Sequence, residues 1–383
     1  MSTLRIVADE NIPQVEAAFD GVGEVRLADG RTLTRAQLTE ADVLLVRSVT
    51  RVDEELLADT PVRFVGTATI GTDHVDREYL SRAGIAFASA KGCNANSVAE
   101  YIVSVLLEIA AHEGTTLAGK TLGIVGHGNI GGVVARYAPI LGLNVLVNDP
   151  PQQRARIPGE WTGLDAVLRH SDFVTFHVPL NREGQDRTLH LMGEAQLATM
   201  KPGAWLINSS RGQVVDNAAL LSALEDKRLA GAVLDVWENE PDISRALLRR
   251  CLIATPHIAG YSIDGKLNGT RLMLNAVSRH FDLVQAWEPQ LPRVDQPIVA
   301  LGSVSDREEA LRRAARHAYK LLADDASLRA GMEREGREWP AYFDMLRRKY
   351  PVRHEFRHFR VEDAGIDGDI LNALHDLGFK TGA

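Results

Sequence analysis

The sequence predicts an α/β chain: two doubly wound parallel-sheet units followed by a small α+β unit. Three observations carry this expectation. Short apolar runs alternate with helical patterns in two separate series, and a glycine-rich turn follows one such run directly and opens a helical pattern. Pro289, Pro292 and Pro297 then mark a linker before a charged, helix-patterned tail.

The first series comprises LRIVA at 4–8, VLLVRS at 43–48, FVGTAT at 64–69 and IAFASA at 85–90, the rhythm of parallel strands joined by crossover helices. From 97 to 111, Val98, Ile102, Val105, Leu106 and Ile109 share one helical face and Gly114 stops the pattern, which predicts a connector helix. The second series opens at Lys120, with strands expected at 122–125, 145–148, 173–177, 205–208, 232–236 and 252–255; one continuous doubly wound sheet accounts for them. In the tail, Ser305 and Glu308 have capping-box spacing, and Leu311, Ala314, Ala315, Ala318, Leu321 and Leu322 form one apolar stripe. The domains expected are 1–93 together with 258–286 (flavodoxin-like and substrate-binding), 94–257 (nucleotide-binding) and 287–383 (the tail).

A chain of 383 residues, 45% hydrophobic and 25% charged, has the core material for two or three domains. Its formal net charge of -8 provides no field for nucleic acid or an anionic membrane, so neither is expected as a partner, and an anionic ligand must be gripped by local cations. Cys93 and Cys251 are too few for a disulfide framework or a zinc site; no metal is expected, and a reducing cytoplasm is the simplest setting. The N-terminus reads as a strand rather than a signal peptide, and no apolar run approaches the ~20 residues of a membrane span.

The run at 122–125 leads straight into GHGNIG at 126–131. Gly126 permits a tight turn, Gly128 lets a pyrophosphate approach the backbone, and Gly131 lets the following helix pack on the strand; Asn129 and Ile130 lie at the helix start, where N–H groups meet phosphate. Asp149, about 20 residues on, is placed to accept from ribose hydroxyls and would repel a 2′-phosphate, so this Rossmann-like pattern predicts NAD rather than NADP. Arg154 and Arg156 keep NADP as the alternative.

In open parallel sheets the reacting groups gather beyond the carboxyl ends of the strands, and Arg211, Glu240 and His257 all follow predicted strand ends. Together they suit oxidation of a 2-hydroxy acid at a cleft between two α/β domains: His257 as base, Glu240 to orient its ring, and Arg211 as a planar fork for a carboxylate. His177 is the second choice of base, and His127 is excluded because it lies within the phosphate loop. Glu238, beside Asn239, shares the acidic turn with Glu240. Arg47 and Ser48, at another strand end, suit a cation-and-hydroxyl grip on an anionic sugar acid.

The run LMGEAQLATMKPGAWLINSSRGQVVDNAALLSAL, then LDVWENEP and TPHIAG, resembles the signatures of the D-2-hydroxyacid dehydrogenase family. That resemblance implies Arg211, Glu240 and His257 as the catalytic three, and NAD contacts at Asp149, Val178 (by backbone), Ser209, Ser210, Asp235 and Gly260. VADENIP, VRSVT, GTATIGTDHVD, GCNANSVAEY, the doubled proline after Asp149 and AGYSIDGK resemble the members acting on a phosphorylated hydroxy acid, 4-phospho-D-erythronate. They imply substrate contacts at Ser48, Thr69 and Tyr261 and a homodimer built through the tail. Alternatives are a relative acting on 3-phosphoglycerate or glycerate, and a non-catalytic NAD-sensing protein of the corepressor kind. The basic stretch RRKYPVRHEFRHFR at 347–360 reads either as a solvated face or as a source of cation for the phosphate.

Overall fold

The computed structural model describes residues 3–362 and 364–382. The chain divides into two compact units, Met1–Asn94 with Ser262–Arg293, and Ala95–Tyr261 with Val294–Ala383.

The first unit is built on five parallel strands, β1 (Leu4–Asp9), β2 (Gly23–Ala28), β3 (Val43–Val46), β4 (Phe64–Thr67) and β5 (Ala86–Ser89), in the order β2-β1-β3-β4-β5. Strand side chains alternate between faces, so the unbroken apolar runs fill two cores. Ile6, Val43, Leu45 and Phe64 meet Met273, Leu274 and Val277 of the helix Ile263–His280 on one face, while Val7, Leu44, Val46 and Val65 meet Leu56, Leu57 and Leu80 on the other. That helix lies flush on the sheet, since a Cβ at Gly269 would stand 2.7 Å from the carbonyl oxygen of Ala68. The strand with no counterpart in the sequence reading is β2, whose charged residues alternate along an exposed sheet edge.

The second unit carries six parallel strands: β6 (Thr121–Val125), β7 (Asn144–Asn148), β8 (Phe173–Phe176), β9 (Trp205–Asn208), β10 (Gly231–Leu234) and β11 (Ile253–Ala254). Their order is β11-β10-β9-β8-β6-β7. The helix Ala95–Glu113 is buried along nearly its whole length, well beyond the single predicted face, because residues of the tail cover its other side. Arg316, from the helix Arg307–Ala318, grips Glu108 with two nitrogens, each at 2.5 Å. The expected cap at Ser305 is replaced by Asp306, whose carboxylate accepts from the Glu309 N–H at 2.7 Å. Glu308 instead accepts from the Leu117 N–H at 2.8 Å, a tertiary contact that displaces the local box. The apolar stripe is buried as far as Leu321; Leu322 is 45% exposed, because the helix ends at Ala318 and a new one, Leu321–Arg329, resets the periodicity.

The tail also finishes the sheet. Asp325 accepts from the N–H of Ala254 on the edge strand β11 at 2.7 Å, while Arg329 pairs with Asp325 and donates to the carbonyls of Leu248 and Cys251. From the helix Glu338–Arg348, Trp339 and Phe343 fill the core around Ile243 and Leu247. The short strands Ile298–Val299 and Arg360–Val361 pair in parallel.

Candidate active site

Strand β6 is followed directly by Gly126, whose φ of 93° lies in the left-handed region open to glycine and where a Cβ would stand 2.8 Å from the His177 carbonyl oxygen. At Gly131 a Cβ would fall 2.0 Å from the carbonyl oxygen of Gly126, so only glycine lets the helix Asn129–Tyr137 start this close to the strand. Gly128 differs, for a Cβ there meets nothing within 4 Å, and this is the open face a phosphate can approach at the helix N-terminus. Asp149 caps the helix Pro150–Arg154, and its carboxylate accepts from the Gln152 N–H at 3.0 Å and from the His127 N–H at 2.8 Å. It therefore braces the glycine-rich turn as well as the helix that follows it. Val178 flanks the turn, its Cγ1 2.8 Å from where a Gly126 Cβ would lie. Ser210 donates its hydroxyl to Asn208 at 2.8 Å, whereas the buried Ser209 Oγ has no hydrogen-bond partner among the described residues. An open glycine, an orphaned buried hydroxyl and a free helix end together fit a dinucleotide.

Three loops beyond the ends of β9, β10 and β11 hold the catalytic candidates together. Gly212 brings the first two into contact, since a Cβ on it would overlap the Trp237 carbonyl at 1.9 Å, and the Trp237 indole N–H donates to the Thr255 carbonyl at 3.0 Å, joining the third. Arg211 is steadied by donating to the Ser210 carbonyl at 2.8 Å. Glu238 is occupied structurally, accepting from Asn217 N–H at 2.9 Å and lying 2.7 Å from His190 Nε2. Glu240 instead accepts from the Trp237 N–H and, through its other oxygen, from His257 Nδ1, both at 2.8 Å. Burial alone would raise Glu240, but the charge and hydrogen bond of His257, the Arg347 cation and the Trp237 N–H outweigh it and hold the carboxyl below its ordinary range. The ionised carboxylate accepts, so Nδ1 of His257 carries the proton and Nε2 is left to act as base.

His257 has a φ of 57°, uncommon for a residue with a Cβ, and something must hold it there. That anchor is Asp235, 1% exposed: its carbonyl accepts from the His257 N–H at 2.7 Å, and its carboxylate accepts from Thr255 Oγ1, the Ile258 N–H and the Ala259 N–H. Gly260 and Tyr261 continue the same loop, the Tyr261 N–H returning to the Ile258 carbonyl at 2.8 Å. Asp235→Asn turns one acceptor into a donor facing these N–H groups. It is expected to lower stability by about 2 kcal/mol and to lower kcat through misplacement of His257. Thermal unfolding and steady-state rates check this, and an unchanged kcat would remove Asp235 as the anchor.

His177 is unsuited to be the base, because burial pushes it down to about 3 and its Nδ1 has no hydrogen-bond partner among the described residues. In the first unit, Arg47 follows β3 and pairs with the buried Asp9 at 3.2 Å, while Ser48 beside it is exposed. Thr69 Oγ1 lies 2.8 Å from Thr67 Oγ1, after β4. Lys266, inside the AGYSIDGK run, carries a signal the sequence did not show: burial, and then the charge of Arg47, pull its ammonium down to about 8.

In the stretch 347–360, Arg353 is buried and spent on protein. It donates to the carbonyls of Ala259 at 3.1 Å and Ser97 at 2.5 Å and stacks over Tyr319, 4.0 Å from the ring centre. Arg348, Lys349, Arg357 and Arg360 are exposed. Neither expectation for this stretch holds throughout: its middle is core, and only part of it is a solvated basic face.

Residues 100–259 match the D-isomer specific 2-hydroxyacid dehydrogenase NAD binding domain, and residues 290–378 match a domain of unknown function (DUF3410). The chain is 44% identical over 377 residues to the erythronate-4-phosphate dehydrogenase of Pseudomonas putida (strain W619), covering 98% of this chain and 99% of that one. It is 45% identical, over the same shares, to that of Pseudomonas aeruginosa (strain PAO1). Among solved structures, D-lactate dehydrogenase from Aquifex aeolicus, complexed with NAD and lactic acid, superposes with a TM-score of 0.60 at 25% identity, covering 73% of this chain and 95% of that one. That superposition takes in 73% of this chain, whereas the sequence match to the Pseudomonas proteins takes in 98% and so runs into the tail. The chain therefore belongs to the erythronate-4-phosphate dehydrogenase family, within the D-isomer specific 2-hydroxyacid dehydrogenases.

Proposed function

We propose that this protein oxidises 4-phospho-D-erythronate to 3-hydroxy-2-oxo-4-phosphooxybutanoate, the reaction for which its relatives are named. The observation that carries the chemistry is the 2.8 Å bond from His257 Nδ1 to Glu240, which leaves Nε2 to receive the proton of the C2 hydroxyl. NAD, when bound, accepts the hydride from C2. Arg211 holds the substrate carboxylate and polarises the developing carbonyl, and Glu240 stabilises the imidazolium that His257 becomes. Gly126 to Gly131, Asp149, Ser209, Ser210, Asp235 and Gly260 form the cofactor wall. Arg47, Ser48, Thr69 and Tyr261 bind the phosphorylated acid, with Lys266 adding charge beside Arg47. Formation of NADH from 4-phosphoerythronate, 3-phosphoglycerate and glycerate, compared as kcat/KM, tests the reading; a preference for either of the last two would replace the substrate, and no turnover with any would leave only an NAD-binding role.

A homodimer formed through 287–383 and a cytoplasmic setting belong to the same proposal. Exposed Leu322 and Val352 on the tail support the first, and a content of two cysteines in 383 residues fits the second. Light scattering on the purified protein decides the oligomeric state.

Glu240→Gln keeps the shape of the acceptor and removes its charge. We expect kcat/KM to fall by about 10- to 100-fold, as for loss of a charged hydrogen bond. Stability should respond with a definite sign. A carboxyl whose folded value is depressed contributes stability above its unfolded value and loses it as pH falls through the folded one. The gap in Tm between the native protein and Glu240→Gln should therefore be largest near neutral pH and close in acid. A gap that widens in acid would contradict the assignment.

A further inference from the structure

The substrate proposed above carries two anionic ends, and Arg211 accounts for the carboxylate. The phosphate sits two carbons beyond the reacting carbon, so within this unit its cation must lie within one side chain of His257. Arg353 has an Nε with no hydrogen-bond partner among the described residues, but it is excluded, because both its terminal nitrogens are committed to the carbonyls of Ala259 and Ser97 and its face to the ring of Tyr319. Arg347 is not committed in this way. It projects from the last turn of the helix Glu338–Arg348, donates one Nη2 bond to Tyr261 Oη at 3.2 Å, and lies 5.9 Å from the centre of that ring. Tyr261 is four residues after His257 in the same loop and is steadied edge-to-face by Tyr350, with ring centres 5.8 Å apart. The Nε of Arg347 is buried and has no hydrogen-bond partner among the described residues. A guanidinium held by one phenol bond, with a further buried donor unused, is short of an acceptor. The charges of Glu240 and Asp344 both reach it, and Glu240 is already bonded to His257 and Trp237.

We infer that Arg347 is the specificity residue for the phosphate of the substrate: with the Tyr261 hydroxyl it receives the phosphate oxygens, and it lets this family's tail read the group that distinguishes its acid from lactate or glycerate. The inference rests on the phosphorylated-acid reading above and adds the residue that recognises the phosphate. A planar fork suits a phosphate better than a point charge does, and a dianion arriving at a half-buried guanidinium meets little competition from water.

The test compares kcat/KM for 4-phosphoerythronate and for unphosphorylated erythronate in the native protein, Arg347→Gln, Arg347→Lys and Tyr261→Phe, together with inhibition by inorganic phosphate. Arg347→Gln is expected to lower the ratio of the two kcat/KM values by about 10- to 100-fold, chiefly through KM for the phosphorylated acid, and to weaken phosphate inhibition in parallel. Arg347→Lys should recover part of both, and it guards against a folding defect in the glutamine variant. An equal fall for the two acids, with phosphate inhibition unchanged, would overturn the inference and make Arg347 a support for Tyr261 alone. Failure of the substrate reading looks different: the native protein itself would then favour another phosphorylated acid, and the same ratio measured with that acid would still test Arg347.

Discussion

His257→Ala is expected to lower kcat by about 10²- to 10⁴-fold, the range for loss of a positioned general base, while leaving NAD affinity near that of the native protein. The separation follows from the geometry. His257 meets Glu240 in the loops beyond β10 and β11, whereas the phosphate loop is fixed by Gly126, Gly131 and Asp149 beyond β6 and β7. His177→Asn serves as the control, since a histidine held neutral by burial has no proton to exchange near neutral pH. Turnover measured by NADH absorbance and NAD affinity measured by fluorescence titration are both needed. A kcat within twofold of the native value in His257→Ala would sink the assignment of the base.

The second large effect is expected at Gly131. An alanine there puts a Cβ 2.0 Å from the Gly126 carbonyl oxygen, a backbone atom that cannot rotate away. The helix must retreat from the strand, at a cost on the order of 3 kcal/mol, typical of severe overpacking, and its N–H groups retreat from the phosphate with it. Both Tm and NAD affinity should drop. Gly128→Ala makes the contrast, because its Cβ meets open space: Tm should hold while NAD affinity falls, since the ligand itself occupies that space. Equal behaviour of the two variants would show that the loop does not divide its labour between packing and ligand approach.

Much of this architecture was legible because the chemistry is local. The buried parallel strands read as unbroken apolar runs, and β6 with Gly126, Gly128 and Gly131 announces strand, turn and helix within a dozen residues. Strand β2 escaped notice because an edge strand needs no apolar run; GEVRLA is one-third charged and looks like loop. Glu238 and Glu240 both flank Asn239; the sequence reading took Glu240, and the folded loops bond that residue to His257 and Glu238 to Asn217. Lys266 and Arg347 carry signals that arise only in the fold: burial, and then the charge of Arg47, at the first and the hydroxyl of Tyr261 beside the second. The capping box at Ser305 misled because Glu308 had a better partner far away in the chain, the Leu117 N–H. Local rules lose where tertiary contacts compete for the same atoms.

The bond from Ala254 to Asp325 bears on where this protein ends as a physical object. The NAD binding domain match stops at residue 259, yet the last strand of its sheet, β11, has an N–H whose acceptor lies in the tail, and the carbonyls of Leu248 and Cys251 before that strand are bonded by Arg329. The segment that relatives share as a module and the segment that closes its own hydrogen bonds are therefore different lengths. What recurs across dehydrogenases as a domain is, in this chain, an open-sided sheet whose missing margin has been written some 70 residues downstream.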